Sequence, residues 1–126
     1  MIKLKNYVID NRDFIRALND LSGCKLKFAT SLKIAKVLRE IQDIKILLDE
    51  KKKEIISNAG VSADENGYLK YDAIENIETK KKLISDIELL LSEEIELDSA
   101  KIPSSDLSEI EIEANKLAIL YPVLDI

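Results

Sequence analysis

Residues 29–58 read ATSLKIAKVLREIQDIKILLDEKKKEIISN, thirty residues without a glycine or a proline. Ile34, Ile41, Leu48 and Ile55 recur at every seventh position, and Val37 and Ile44 fill the companion positions. That spacing predicts one long helix with a coiled-coil-like seam. Leu38 and Leu47 widen the stripe, so the helix is expected to meet more than one neighbour. At about 1.5 Å per residue it spans roughly 45 Å, longer than a compact chain of this mass requires. Something must cover that length.

The obvious cover follows in sequence. Asn58-Ala59-Gly60 stops the first long helix. Asp64-Glu65-Asn66-Gly67 carries an Asn-Gly turn signal between Val61-Ser62-Ala63 and Tyr68-Leu69-Lys70-Tyr71, which predicts a tiny β-hairpin at a tip loop over 59–71. Asp72 with Glu75 three residues later reads as a capping box opening a second long helix. Ile77, Ile84 and Leu91 keep the seven-residue spacing, with Leu83, Ile87 and Leu90 beside them, and the helix ends near Ser92. Two such seams joined by a short connection predict a mainly α fold built on a long antiparallel helical hairpin over 29–92.

The flanks read as short elements at the base of that hairpin. Ile2 to Leu4 alternates like a strand, and Asn6 or Asp10-Asn11 can cap a first helix striped by Phe14, Leu18 and Leu21 with Ile15 beside them. Ser22-Gly23 is expected to end it in a left-handed turn. Beyond Ser92, Glu94 to Leu97 alternates as a half-solvated strand, Ile102-Pro103 reads as a turn, and Ser104-Ser105-Asp106 can cap one helical turn. Ile110-Glu111-Ile112 alternates again, and Glu113 to Leu120 reads as a short helix stopped before Pro122. Strands near 2–4, 94–97 and 110–112 are expected to form one small β-sheet, an α+β minor component. The whole of 1–126 is then a single domain in three parts: 1–28, 29–92 and 93–126.

Composition bounds the chemistry. There is no His, so the side chain best suited to proton transfer near neutral pH is missing, along with the commonest zinc ligand. The single Cys24, in Gly23-Cys24-Lys25-Leu26, excludes an intrachain disulfide and has no partner base, so it is expected to be a small buried hydrophobe. No glycine-rich phosphate loop, nucleophile elbow or paired acid–base site is visible. The expectation is a protein that is not an enzyme and uses no cofactor or metal. Met1-Ile2-Lys3-Leu4-Lys5 is too short and too charged for a signal peptide, and Ile44 to Leu48 is interrupted by lysine, so a soluble, cytoplasmic protein without membrane contact is expected.

The net charge of −5 is unevenly spread. Residues 1–85 carry 17 Lys/Arg against 13 Asp/Glu, whereas residues 86–126 carry Lys101 and Lys116 against 11 acids. No continuous basic face survives that balance, which argues against general nucleic-acid binding. Opposite ends of opposite sign, with aliphatic surface to spare on the long helices, favour a homo-oligomer, expected as a dimer.

One surface stands out as a candidate ligand site. Lys51, Lys52 and Lys53 on the first long helix and Lys80, Lys81 and Lys82 on the second are expected to lie opposite each other near the tip, with Tyr68, Lys70 and Tyr71 close by. Ammonium groups meet phosphate and aromatic rings stack on bases, so this set suits a small anionic nucleotide. The plainer reading, which carries more weight, is a solvated helix end neutralised by Asp49, Glu50, Glu54 and Glu78. The acidic set Glu93, Glu94, Glu96 and Asp98 lacks the spacing of a calcium loop and reads as a charged strand edge.

Several stretches also resemble a family. Ile2-Lys3-Leu4-Lys5-Asn6 opens the chain, Ala35-Lys36-Val37-Leu38 lies early in the long helix, and Asp64-Glu65-Asn66-Gly67-Tyr68-Leu69 forms the loop. Leu89-Leu90-Leu91-Ser92-Glu93-Glu94-Ile95-Glu96-Leu97 follows, then Ile102-Pro103-Ser104-Ser105-Asp106-Leu107 and Ile110-Glu111-Ile112. Together these resemble a group of small proteins of tailed phages and prophages of Gram-positive bacteria. The resemblance implies a phage origin and a working place inside the bacterial host cell. In that setting the chain is expected to be a non-catalytic binding protein, directed at a host protein or an anionic nucleotide signal to inhibit bacterial defence. The alternative is a virion structural or assembly component, such as a tail or head adaptor or an assembly chaperone.

Overall fold

The long helix forms because nothing in it opposes helix, and in the computed structural model it runs as α3, Phe28–Asn58. The structure describes residues 2–60, 74 and 76–125. Ahead of α3 come β1 (Ile2–Lys5), α1 (Asn6–Asp10) and α2 (Arg12–Ser22). After it come α4 (Ile77–Ser92), β2 (Glu94–Leu97), β3 (Ile102–Pro103), a 3-10 turn at Ser104–Leu107, α5 (Ala114–Leu120), a second 3-10 turn at Tyr121–Val123 and β4 (Leu124–Asp125). The protein is mainly helical, and its described residues form two small two-stranded sheets. The expected β-hairpin over 61–71 and the expected capping pair Asp72 and Glu75 lie outside the described residues.

The seam of α3 holds over its first three heptads and then steps. Ile34, Val37, Ile41 and Leu48 are buried, but the next buried position is Ile56, with Ile55 only half-buried. A straight helix drifts by about 20° per heptad against a seven-residue repeat, so the buried face moves one position along. The partners also differ from expectation. Ile34 to Leu48 pack into the main core with Ile2, Leu4, Ile9, Phe14, Leu18, Leu97, Ile102 and Val123, whereas Ile56 packs with Leu83 and Ile87 of α4. The short α1 packs against both α3 and α4 and wedges the base of the hairpin. Helix α4 has 16 residues against 31 in α3, so it covers only part of the seam and the small domain covers the rest.

On α4 the stripe is displaced as well. Leu83 and Ile87 are buried, Ile84 and Leu91 half-buried, and Ile77 is 67% exposed. The helix opens at Asn76, whose side chain accepts a hydrogen bond from the Thr79 amide at 3.1 Å. Ile77 therefore occupies the first turn, beyond the reach of the seam.

The junction of β1 and α1 is fastened by a buried amide. Asn6 Nδ2 donates to the Leu90 carbonyl at 2.8 Å and the Asn6 amide donates to the Glu93 carbonyl at 2.9 Å. Asn11, one of the two predicted caps, accepts from the Asp13 amide at 3.0 Å and starts α2. Gly23 ends α2 at φ −84°, an ordinary right-handed conformation, so the expected left-handed stop is absent there. It occurs instead at Gly60, φ +75°, just beyond α3.

Strands β1 and β2 pair antiparallel, Ile2 with Leu97 and Leu4 with Ile95 on the inner face, Lys3 with Glu96 and Lys5 with Glu94 on the outer. Residues 110–112 form no strand. The second sheet joins β3 to β4 in parallel, Ile102 opposite Leu124, so the predicted turn at Ile102-Pro103 is a strand. Pro103 sits at its end, where a missing N–H is tolerated. Ile110 and Ile112 pack half-buried against the core from an irregular segment: their alternation places apolar side chains without a strand to pair with.

Candidate functional site

The lysines of the expected tip site differ in what holds them. Lys52 Nζ reaches Asp10 Oδ1 at 2.7 Å, and Lys45 Nζ reaches the same oxygen at 2.9 Å and Asp49 Oδ1 at 2.8 Å. Lys52 is thus part of a half-buried cluster that ties α1 to α3. Lys51 is exposed and makes a loose 3.5 Å pair with Glu54, a contact that contributes little at a surface. Lys53, Lys81 and Lys82 are exposed, and Lys80 is half-buried and engaged.

Lys82 lines a shallow hollow with Ile55, Asn58, Ala59, Thr79 and Asp86. On α3 that hollow begins at Ile55, two residues beyond Lys53. Tyr68, Lys70 and Tyr71 lie outside the described residues. Among the described ones, no three or more His, Cys, Asp or Glu side chains group so as to hold a metal ion. Of the acidic set, Glu94 and Glu96 stand directly opposite Lys5 and Lys3, a cross-strand arrangement that offsets their charge.

Cys24 is half-buried rather than enclosed. It lies just past the end of α2, where its thiol donates to the Asp20 carbonyl at 3.5 Å. It borders a cavity of about 110 Å³ with Leu21, Ile112 and Leu120. The Lys116–Asp20 ion pair, at 3.2 Å, links α5 to α2 there.

The larger groove lies at the base. It has a volume of about 540 Å³ and runs between Lys33, Lys36, Arg39, Glu40 and Asp43 of α3 and the turn Asp98–Ala100 after β2. Glu40 pins the turn: its carboxylate accepts the Asp98 amide at 2.7 Å and the Ser99 amide at 3.2 Å. Burial pushes the Glu40 carboxyl up, but the hydrogen bonds from Asp98 and Ser99 outweigh it and hold the group below the ordinary 4.5. Lys33 bonds Asp106 at 3.2 Å and fastens the 3-10 turn that follows β3.

Sequence reading missed this groove because its cations recur at 33, 36 and 39 rather than in a run, and because the wall comes from a turn 58 residues away. The three-residue spacing on a helix face was the available signal. Compared with protein-family models, curated proteins and solved structures, the chain matches none of them.

Proposed function

We propose that the chain is a non-catalytic binding protein encoded by a tailed phage or prophage, acting in the bacterial host cell by presenting its helical hairpin to a host protein and so inhibiting a defence. One observation carries the choice of a protein partner over a nucleotide held at the tip. The hairpin closes its inner face with Ile56, Leu83 and Ile87, yet Leu47 on α3 and Leu89 on α4 remain 64% and 63% exposed. Large aliphatic side chains left outside a satisfied seam are what a partner surface removes from water. The lysines offer the nucleotide less, since Lys52 is held by Asp10 and Lys51 faces Glu54. Among the described residues, no helix is long and apolar enough to cross a membrane.

The virion reading draws on a different observation. Helix α3, at 31 residues, is packed by the small domain from Ile34 to Leu48 and beyond that pairs with α4 through Ile56, Leu83 and Ile87, so the paired end makes a rod on that domain. Rods of this kind suit an adaptor or assembly chaperone.

One experiment addresses both. Tagged wild type and a Leu47→Asp/Leu89→Asp variant are captured from infected cells, and purified virions are probed for the protein. The expected result is a host protein retained by wild type and lost by the variant, with melting unchanged because both leucines are exposed. A host partner that the variant keeps removes the hairpin from the interface. Stoichiometric protein in virions moves the assignment to the structural reading.

A further inference from the structure

We infer that the groove between α3 and the turn after β2 binds a small phosphate monoester that also carries hydroxyl or amino donors, the chemistry shared by sugar phosphates and nucleotides. The site does not depend on the hairpin surface proposed above. Its wall is fixed by Glu40, which grips the amides of the turn, while Lys33 of the groove is tied to Asp106 of the following 3-10 turn. Those contacts occupy Lys33 and Glu40. They leave Lys36 and Arg39 exposed and without an ion pair or hydrogen bond among the described residues.

These two cations stand three residues apart on α3, so their stems leave the helix about 5–6 Å from each other. One phosphate can be gripped by both, with the planar guanidinium of Arg39 donating two parallel hydrogen bonds. The opposite sign is also present. Asp43 lies one turn further along α3 and Asp98 lies on the facing wall, both exposed and both acceptors. A bare polyanion meets repulsion from these carboxylates, whereas a ligand with a phosphate at one end and hydroxyl or amino groups at the other satisfies both sets. The volume of about 540 Å³ falls within the range of small-ligand sites, roughly 300–1,000 Å³.

The test is titration calorimetry on the full chain with inorganic phosphate, ribose, ribose 5-phosphate and AMP as probes. Ribose 5-phosphate and AMP are expected to saturate the groove, more tightly than phosphate or ribose alone, and to weaken as salt is raised. AMP binding more tightly than ribose 5-phosphate assigns a nucleotide; equal binding assigns a sugar phosphate. Lys36→Ala/Arg39→Ala should weaken both esters about tenfold or more, since each charged hydrogen bond removed is a large share of a small ligand's affinity. Its circular dichroism should stay that of wild type, because neither side chain is buried. Lys53→Ala/Lys81→Ala/Lys82→Ala, at the far end of the hairpin, should bind as wild type does. The inference is overturned if neither ester saturates at millimolar concentration or if inorganic phosphate binds as tightly as the esters. It is equally overturned if the lysine variant at the tip, rather than the groove variant, loses binding.

Discussion

Ile41→Asp is expected to leave no cooperative thermal transition. Ile41 is fully buried in the main core, on the face of α3 that meets α1, α2 and the strands. Truncating it forfeits about 2–3 kcal/mol of apolar burial, and the carboxylate introduced has no cation or N–H within the seam. An uncompensated buried charge costs several kcal/mol more, so the total rivals the roughly 5–15 kcal/mol that holds a domain of this size. Ile41→Val, which removes one methyl, should cost only about 0.5–1.5 kcal/mol and keep a sharp transition at lower temperature. Ile84→Asp is a useful contrast: Ile84 is half-buried, so its new carboxylate can turn to water and the loss is smaller. Circular dichroism melts of the three variants rank these effects. An Ile41→Asp chain melting with wild type would show that α3 does not pack by this face.

Why Ile41 was legible in the sequence and Ile84 was not follows from what a repeat can encode. The absence of Gly and Pro over 29–58, with apolar side chains recurring every seventh residue, fixes a helix and its buried face through Leu48. The same repeat carried to Ile55 and Ile77 fails, because the helix turns away from a seven-residue stripe and because Asn76 caps α4, which puts Ile77 in its first turn. A repeat also does not name its partner. Hairpin and small domain compete for the face of α3, and only the three-dimensional placement of α1 between the long helices decides it. Short strands are worse still. Ile110 and Ile112 alternate without pairing, while Ile102-Pro103 pairs despite its proline, because two-residue strands depend on what lies beside them. The candidate site suffered from the same limit. Runs of lysine are visible in one dimension, but the acid that claims Lys52, Asp10, is 42 residues away.

That last contact sets the expected response to acid. Burial raises the Asp10 carboxyl, but the ammonium groups of Lys52 and Lys45 more than offset it and hold the group below its ordinary 3.8. Unfolded chains therefore take up this proton at a higher pH than folded ones. The stabilisation is complete above the unfolded value and is lost as pH falls through the lowered folded value, so the decline begins at about pH 5 and continues downward. Glu40, also lowered, from 4.5, adds to the same acid limb. At the other extreme burial lowers Lys45, but Asp49 and Asp10 raise it above 10.5 on balance. Its contribution is thus present below the unfolded value and lost only as pH rises through the higher folded one. Asp10→Asn removes the shared anion and leaves two half-buried ammonium groups with less to hold them. With roughly a quarter of each side chain still in water, the expected loss near neutral pH is about 1–2 kcal/mol, below that of a fully buried pair. Urea unfolding at steps between about pH 7 and pH 3 should then show a lower plateau and a shallower acid limb in Asp10→Asn, the remainder coming from Glu40. A variant with the wild-type plateau and the wild-type acid slope would mean that the Asp10 cluster contributes nothing to folding and that Lys52 is free to serve a ligand.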